Sequence, residues 1–244
     1  MSSKKIPGTG FNSPPGNDPK RTALSWHYYC WLIDLDHMKP LINGSYPDFV
    51  HAICDDWQLN DYFDVVEEDM VKLGGTASFM TEFGMCDFPV PGTNNEIWNQ
   101  DMCQFILDKG DDHFMSWTYW DCNFYLDNQQ VNYFKLDLFA RVYPFATNGV
   151  PQIYMYNATT RYFLYVYKTN ITSIDKADLA TEIFIPLHLY PNSFVVTVSS
   201  NLKYTFDQDS SKLYVYLADE IKQKLASNKF KFYDSQAIVT IQAK

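Results

Sequence analysis

The residues best suited to chemistry lie on three short apolar segments in the first half of the chain. Glu82 is near the end of segment 77–83 and is followed by Phe83-Gly84, where glycine allows a sharp turn. A carboxylate at the C-terminal end of a parallel strand is a typical catalytic position. Glu82 is therefore a catalytic candidate. The alternative is a glutamate that caps a following helix or forms a surface ion pair.

Two polar rings lie on the first apolar segment, residues 23–33. His27 and Tyr29 are two positions apart, so on a strand they share one face. If that face leads to Glu82, Tyr29 can donate a hydrogen bond to the carboxylate and His27 can position the carboxylate or a substrate hydroxyl. The alternative is that both rings pack in a core.

Two tryptophans lie on the third segment, residues 114–120. At the end of a strand, Trp120 can form the flat apolar floor on which a sugar ring packs. Trp117 is a second candidate, although its deeper position also suits a buried core. The chain has no GxSxG motif, and its histidines lack metal-like spacing. We therefore predict no metal and no cofactor.

These segments alternate with two stretches of helical periodicity. Residues 60–73 place apolar side chains at helical spacing and end at Gly74-Gly75, and residues 95–109 have a similar apolar face. Residues 1–21 are typical of a loop, and residues 34–59 of a turn-rich excursion. Buried strands that alternate with helices indicate a parallel sheet.

The pattern changes after about residue 137. Short alternating or aromatic runs follow, separated by turn signals, and one short helix is predicted at residues 218–226. This spacing predicts an antiparallel β-sandwich. The chain thus divides into domains 1–137 and 138–244. The predicted strands are 152–156, 162–167, 182–187, 193–199, 203–206, 212–217 and 237–242.

The composition restricts the class of partner. The chain has 244 residues, a formal net charge of −10 and a pI of about 4.8. Such acidity excludes a nucleic-acid partner, and no Lys/Arg cluster favours an anionic membrane surface. Aromatic residues make up 17% of the chain, which suits a neutral carbohydrate ligand.

The compartment is indicated by cysteines and acceptor tripeptides. Five cysteines without a CxxC pair fit one or two disulfides or plain buried thiols. Glycosylation acceptor tripeptides begin at Asn43, Asn157 and Asn170, which favours secretion or an endomembrane lumen. The N-terminus has no apolar signal region and no run approaches a membrane span. We expect either a cytosolic chain or a natural start further upstream.

Taken in order, the three segments resemble a known enzyme family. Segments 24–29, 79–84 and 116–120 are similar to the sixth, seventh and eighth strands of family 5 glycoside hydrolases. Within that family the likeness is greatest to the endoglycoceramidases. Residues 140–151 resemble the junction of that subgroup into a C-terminal β-sandwich. The resemblance implies an incomplete (β/α)8 TIM barrel, its last three strands, followed by an antiparallel sandwich.

The resemblance also implies an activity and a set of site residues. Endoglycoceramidases hydrolyse the β-linkage between the glycan and the ceramide of glycosphingolipids with retention, which requires two carboxyl groups. Glu82 matches the nucleophile, His27 and Tyr29 match positions of the sixth strand, and Trp120 matches the aromatic of the eighth. The loop Phe88–Pro91 is a candidate wall for the apolar aglycone.

The match lacks the acid/base glutamate of the family's fourth strand. The Asn95-Glu96 pair follows the seventh strand instead and is not its equivalent. Strands one to five have no match, so we expect a fragment that is inactive alone. The alternatives are a non-catalytic glycan- or lipid-binding module, and a partner subunit that completes the barrel. Glycan preference, disulfide pairing and oligomeric state stay open.

Overall fold

The computed structural model describes residues 13–30, 52–84, 100–120, 124–125, 128–171, 173–227 and 233–244. It forms two compact units, Met1–Lys135 and Leu136–Lys244. The domain boundary expected from the sequence, between residues 137 and 138, stays a prediction.

The first unit is built on a three-stranded parallel sheet. Its strands are β1 (Ala23–Tyr28), β2 (Ala77–Phe83) and β3 (Ser116–Tyr119), in the order β1-β2-β3. Helix α1 (Asn60–Lys72) connects the first two strands and helix α2 (Gln100–Asp112) the last two. The alternation of strands and helices expected from the sequence is present. That this sheet is part of a barrel remains a proposal.

Apolar packing of α1 fixes which face of the sheet is covered. Phe63 is buried on this helix, and its ring meets that of Trp26 edge to face at 5.2 Å. Tyr62 meets Tyr28 in the same manner at 5.4 Å. The helix ends because Gly74 and Gly75 adopt φ values of 82° and 83°, which favour glycine.

The stretch 34–59 was predicted to be turn-rich, but its described part is helical. Ala52–Leu59 forms a π-helical segment directly before α1. A buried disulfide joins Cys54 of this segment to Cys30, just after β1. Tyr28 adds a 2.7 Å hydrogen bond from its hydroxyl to the Cys54 carbonyl. Cys103 is also disulfide-bonded, so all three cysteines among the described residues are in disulfides.

The second unit contains two four-stranded antiparallel sheets. Short helices α4 (Ile174–Ala177) and α5 (Asp219–Ala226) lie between strands. The strands are β4 (Tyr143–Ala146), β5 (Val150–Asn157), β6 (Tyr162–Lys168), β7 (Thr181–Phe184), β8 (Phe194–Val198), β9 (Leu202–Asp207), β10 (Lys212–Leu217) and β11 (Gln236–Ala243). Their orders in the two sheets are β4-β7-β10-β9 and β5-β6-β11-β8.

One hydrophobic core joins the two sheets. Ile183 and Leu213 come from the first sheet, Phe163 and Val239 from the second, and all four are fully buried. Polar groups within the core are paired: the hydroxyls of Tyr165 and Thr147 are 2.6 Å apart. The architecture is that of an antiparallel β-sandwich, as the sequence predicted.

Three local elements of the structure differ from the sequence-based expectation. Helix α3 (Tyr133–Phe139) was not predicted, since its mixed aromatic and charged residues have no clear periodicity. The β4 segment was interpreted only as a junction. The strand expected at 182–187 ends at Phe184, because Pro186 precedes a 3₁₀ turn at Leu187–Leu189.

Candidate active site

The pairing of β1 with β2 brings the candidate residues of both strands together. The register shifts between Trp26 and His27, and after this irregularity His27 lies beside Glu82. Both strands run parallel, so their C-terminal ends lie at the same edge of the sheet. Glu82 stands at this edge on the central strand.

Each carboxylate oxygen of Glu82 faces a different polar ring. The Tyr29 hydroxyl donates a 2.5 Å hydrogen bond to Oε1. The Nδ1 atom of His27 lies 3.7 Å from Oε2, with the His27 side chain 54% exposed and that of Glu82 26% exposed. The structure therefore assembles Glu82, Tyr29 and His27 into one cluster that is open to solvent on one side.

The Tyr29 hydroxyl is held in its protonated form. Burial raises the pKa of Tyr29 well above its ordinary value, and the hydrogen bond to Glu82 and the negative charge of that carboxylate raise the pKa further. Because the phenol keeps its proton across the physiological range, it acts as a constant donor to Glu82. A carboxylate fixed by such a donor has one orientation.

Trp120 lies next to this cluster at the end of β3. Its backbone N–H donates a 2.8 Å hydrogen bond to the carbonyl of Phe83, directly after Glu82. Its side chain is 65% exposed. An exposed indole fixed at the edge of the sheet is suited to stacking on a sugar ring.

Trp117 lies away from the Glu82 cluster, and its predicted contact with substrate stays a prediction. It pairs with the fully buried Met80 and meets the ring of Phe83 edge to face at 5.7 Å. Gly110 of α2 lies against its indole. Trp117 thus belongs to the helix-covered face, because neighbours in a parallel sheet point the same way.

A set of hydroxyl contacts that the sequence analysis missed ties the three strands together beside the cluster. The hydroxyls of Ser25 and Thr81 are 2.7 Å apart, and the Thr118 hydroxyl donates to the Thr81 carbonyl. Ser25 is two positions before His27, so the alternation of polar residues on β1 was the available signal. These contacts fix the register close to Glu82.

Among the described residues, the hydrogen bonds and ion pairs of Glu82 involve only Tyr29 and His27. The Asn95-Glu96 pair and the Phe88–Pro91 loop lie outside the described residues. Also within the described part of the chain, no helix is long and apolar enough to cross a membrane.

The chain is similar to known proteins in sequence over part of its length and in fold over nearly all of it. Residues 141–226 match the model of the glycoside hydrolase family 5 C-terminal domain. This region covers most of the β-sandwich, so the similarity concerns the second unit. The resemblance to family 5 glycoside hydrolases is confirmed. No curated protein matches the sequence.

Solved glycosidase structures share the fold over nearly the whole chain. Endo-glycoceramidase II from Rhodococcus sp., in complex with ganglioside GM3, is similar at a TM-score of 0.66 and 16% identity, covering 93% of this chain and 44% of that one. Sterylglucosidase 1 of Cryptococcus neoformans is similar at a TM-score of 0.66 and 12% identity, covering 92% and 38%. The chain spans less than half the length of these relatives.

The raised pKa of Tyr29 predicts a loss of stability at alkaline pH. In the unfolded chain this phenol has the ordinary tyrosine pKa of 10.0, whereas the folded state keeps the proton to higher pH. Once the pH rises above 10.0, the unfolded state binds fewer protons than the folded state, so the free energy of unfolding falls. Below pH 10.0 the stabilisation is complete. Tyr165, whose pKa burial raises to about 12, acts in the same direction.

Replacing Tyr29 by Phe should make this decline less steep. Urea unfolding between pH 8 and pH 11 measures the slope for both proteins. At neutral pH the variant should lose about 1 kcal/mol, the ordinary contribution of one hydrogen bond. Identical slopes for Tyr29→Phe and the parent would contradict the placement of the phenol against Glu82.

Proposed function

We propose that this chain supplies the nucleophile part of a retaining β-glycoside hydrolase site, with Glu82 as the nucleophile. The observation that carries the proposal is the Glu82 carboxylate at the end of the central parallel strand, hydrogen-bonded by Tyr29 and facing His27. Carboxylates at this edge of parallel sheets are typical catalytic groups. The shared fold with two glycosidases supports this assignment.

In this mechanism Glu82 attacks the anomeric carbon and forms a covalent glycosyl ester. The bond to the leaving oxygen breaks, a second carboxyl group protonates that oxygen, and water then hydrolyses the ester. Tyr29 holds Oε1 by its hydrogen bond, which leaves Oε2 on the His27 side for the attack. Trp120 supplies an apolar floor for the sugar ring.

The substrate we propose is a glycosphingolipid, cleaved between glycan and ceramide. The complex of the Rhodococcus enzyme with ganglioside GM3 supports this class. Another solved structure of that enzyme is described as a lactosyl-enzyme intermediate, which fits nucleophilic catalysis. A steryl glucoside is the competing substrate, given the similarity to sterylglucosidase 1.

The described hydrogen bonds and ion pairs of Glu82 include no carboxyl group that could serve as the acid/base. Without it the leaving oxygen is not protonated, and the expected carboxyl separation of about 5–5.5 Å cannot be formed. We therefore propose that the 244 residues alone do not turn over a glycosphingolipid. The nucleophile part requires a complementary barrel part that carries the acid.

The decisive experiment starts from the native transcript, sequenced upstream of Met1, and uses the protein that it encodes. If it includes the missing barrel strands, that protein should hydrolyse a β-linked glycosphingolipid. The Glu82→Gln variant should lose at least a factor of about a thousand in kcat/KM, or about 4 kcal/mol of transition-state stabilisation. Product analysis by mass spectrometry measures both rates.

Azide provides a second readout that a misfolded variant cannot give. In Glu82→Ala, azide can enter the space of the carboxylate and form an α-glycosyl azide, the product expected when only the nucleophile is missing. Glu67→Gln, an exposed carboxylate paired with His113, is the matched control and should keep full activity. A fully active Glu82→Gln variant, or a transcript that begins at Met1, sinks the catalytic proposal.

The second candidate function is a non-catalytic glycan-binding module, and one face of the sandwich favours it. The register places Tyr143 beside Phe184, and their rings lie 5.4 Å apart. Phe145, 57% exposed, lies under the ammonium of Lys212 at 3.8 Å. Partly exposed aromatic rings along one sheet can stack on sugar rings.

Tyr143→Ala combined with Phe145→Ala should abolish retention of the chain on an immobilised β-glycan if this face binds sugar. Affinity electrophoresis of the whole chain measures the retention, and Val195→Ala, an exposed residue of the other sheet, is the control. If the unaltered chain is not retained, or if all variants are retained equally, this face does not bind the glycan and the proposal of a glycan-binding module fails.

We also propose that the protein is a secreted or endomembrane-lumen glycoprotein. The Cys30–Cys54 disulfide is typical of an oxidising compartment. The acceptor tripeptide at Asn157 lies in the exposed β5–β6 turn. Asn157 Oδ1 accepts hydrogen bonds from the Thr160 N–H and hydroxyl, at 2.7 and 2.9 Å. A glycan would be attached to the other side-chain atom, Nδ2, which takes no part in these two hydrogen bonds.

Expression in a eukaryotic secretory host should therefore give a chain with a glycan at Asn157. Release of N-glycans in H₂¹⁸O marks each occupied site as heavy aspartate in the peptide map. Asn157→Gln should remove one glycan from the intact mass. An unoccupied Asn157 in the secreted protein would refute the assignment.

A further inference from the structure

Gly84 lies at the point where the ends of the three strands meet. A Cβ atom added at this position would be 2.7 Å from Cε1 and 3.4 Å from Cζ of Tyr29. The same atom would be 3.4 Å from the carbonyl oxygen of Trp120. The missing side chain of Gly84 therefore leaves the space that the Tyr29 ring fills.

The backbone of Gly84 does not itself require glycine. Among the described glycines, positive φ values occur at Gly16, Gly74, Gly75 and Gly149, but Gly84 has none. An alanine would thus meet no conformational penalty at this position. Only the contact with its neighbours excludes a larger residue, because real Cβ atoms do not approach another atom to 2.7 Å.

The backbone of Tyr29 is anchored and cannot easily retreat. Gln58 donates a 3.2 Å hydrogen bond from Nε2 to the Tyr29 carbonyl, and the next residue, Cys30, is tied to Cys54. A side chain at position 84 would therefore displace the ring by rotation. Rotation moves the phenol oxygen away from Oε1 of Glu82, which it contacts at 2.5 Å.

We propose that Gly84 is a positioning residue of the candidate active site, whose lack of a side chain holds the Tyr29 hydroxyl on the Glu82 carboxylate. The catalytic importance of this role rests on the proposed function of Glu82. The effect of Gly84 on the position of the Tyr29 ring does not depend on that function. In the Glu82-Phe83-Gly84 sequence, the glycine thus acts on Tyr29, which follows the neighbouring strand β1.

The titration of Tyr29 distinguishes this role from a general effect on folding. Its pKa is raised by burial, by the hydrogen bond to Glu82, by the negative charge of Glu82 and, at alkaline pH, by ionisation of the neighbouring Tyr119. With ¹³Cζ-labelled tyrosine, the Tyr29 resonance is identified by its loss in Tyr29→Phe. In the parent chain it should not titrate up to pH 11.

In Gly84→Ala the resonance should titrate towards the ordinary value of 10.0, because the phenol has left Glu82. Gly110→Ala is the matched control. Its Cβ would be 3.4 Å from Trp117 Cδ1, in an α2 position that accepts alanine, and Tyr29 should remain as in the parent. A Tyr29 resonance that is unchanged in folded Gly84→Ala overturns the proposal.

A second variant covers the case in which Gly84→Ala does not fold. Tyr29→Leu has no Cε1 atom, so the double variant Gly84→Ala/Tyr29→Leu should fold and unfold at the same urea concentration as Tyr29→Leu alone. A double variant that unfolds at lower urea than Tyr29→Leu overturns the proposal. Neither readout uses turnover, so a failure of the glycosidase assignment is detected separately.

Discussion

The hydrogen bond between Tyr29 and Glu82 depends on the parallel pairing of β1 and β2. The two residues are 53 positions apart in sequence and meet because both strands end at the same edge. α1 returns the chain so that the strands run in one direction, and the disulfide Cys30–Cys54 fixes the exit from β1. A change in register by one residue would turn Glu82 to the other face.

Burial, rather than the hydrogen bond, decides which face Glu82 occupies. Its neighbour Phe83 is fully buried and packs against Trp117 on the helix-covered face. Burying a phenylalanine side chain contributes about 2–3 kcal/mol, whereas one hydrogen bond contributes about 1 kcal/mol. The apolar residue therefore orients the strand end, and the contact with Tyr29 then selects one orientation of the carboxylate.

The sequence was most informative where one physical signal dominated. β2 was predicted with its actual bounds, since a short apolar run between Gly75 and Gly84 has few alternatives. The spacing of His27 and Tyr29 allowed proximity to Glu82 but left core packing of both rings as an alternative, and the contact with Glu82 is seen only in the fold. The irregularity at Trp26/His27 could not be predicted, because a bulge depends on contacts across strands. For Trp117, the sequence could not show that its ring would lie on the helix-covered face.

The exposed face of the parallel sheet bears on the larger architecture. Parallel sheets usually have both faces covered, and the contacts of α1 and α2 lie on one face, with Trp26 and Trp117. Ser25, His27 and Trp120 remain exposed among the described residues. Polar groups with one fixed carboxylate suit the mouth of a barrel better than an open surface. In the proposed glycosidase, a complementary barrel part would cover this face, and it would bring an acid partner to Glu82 and exclude bulk water.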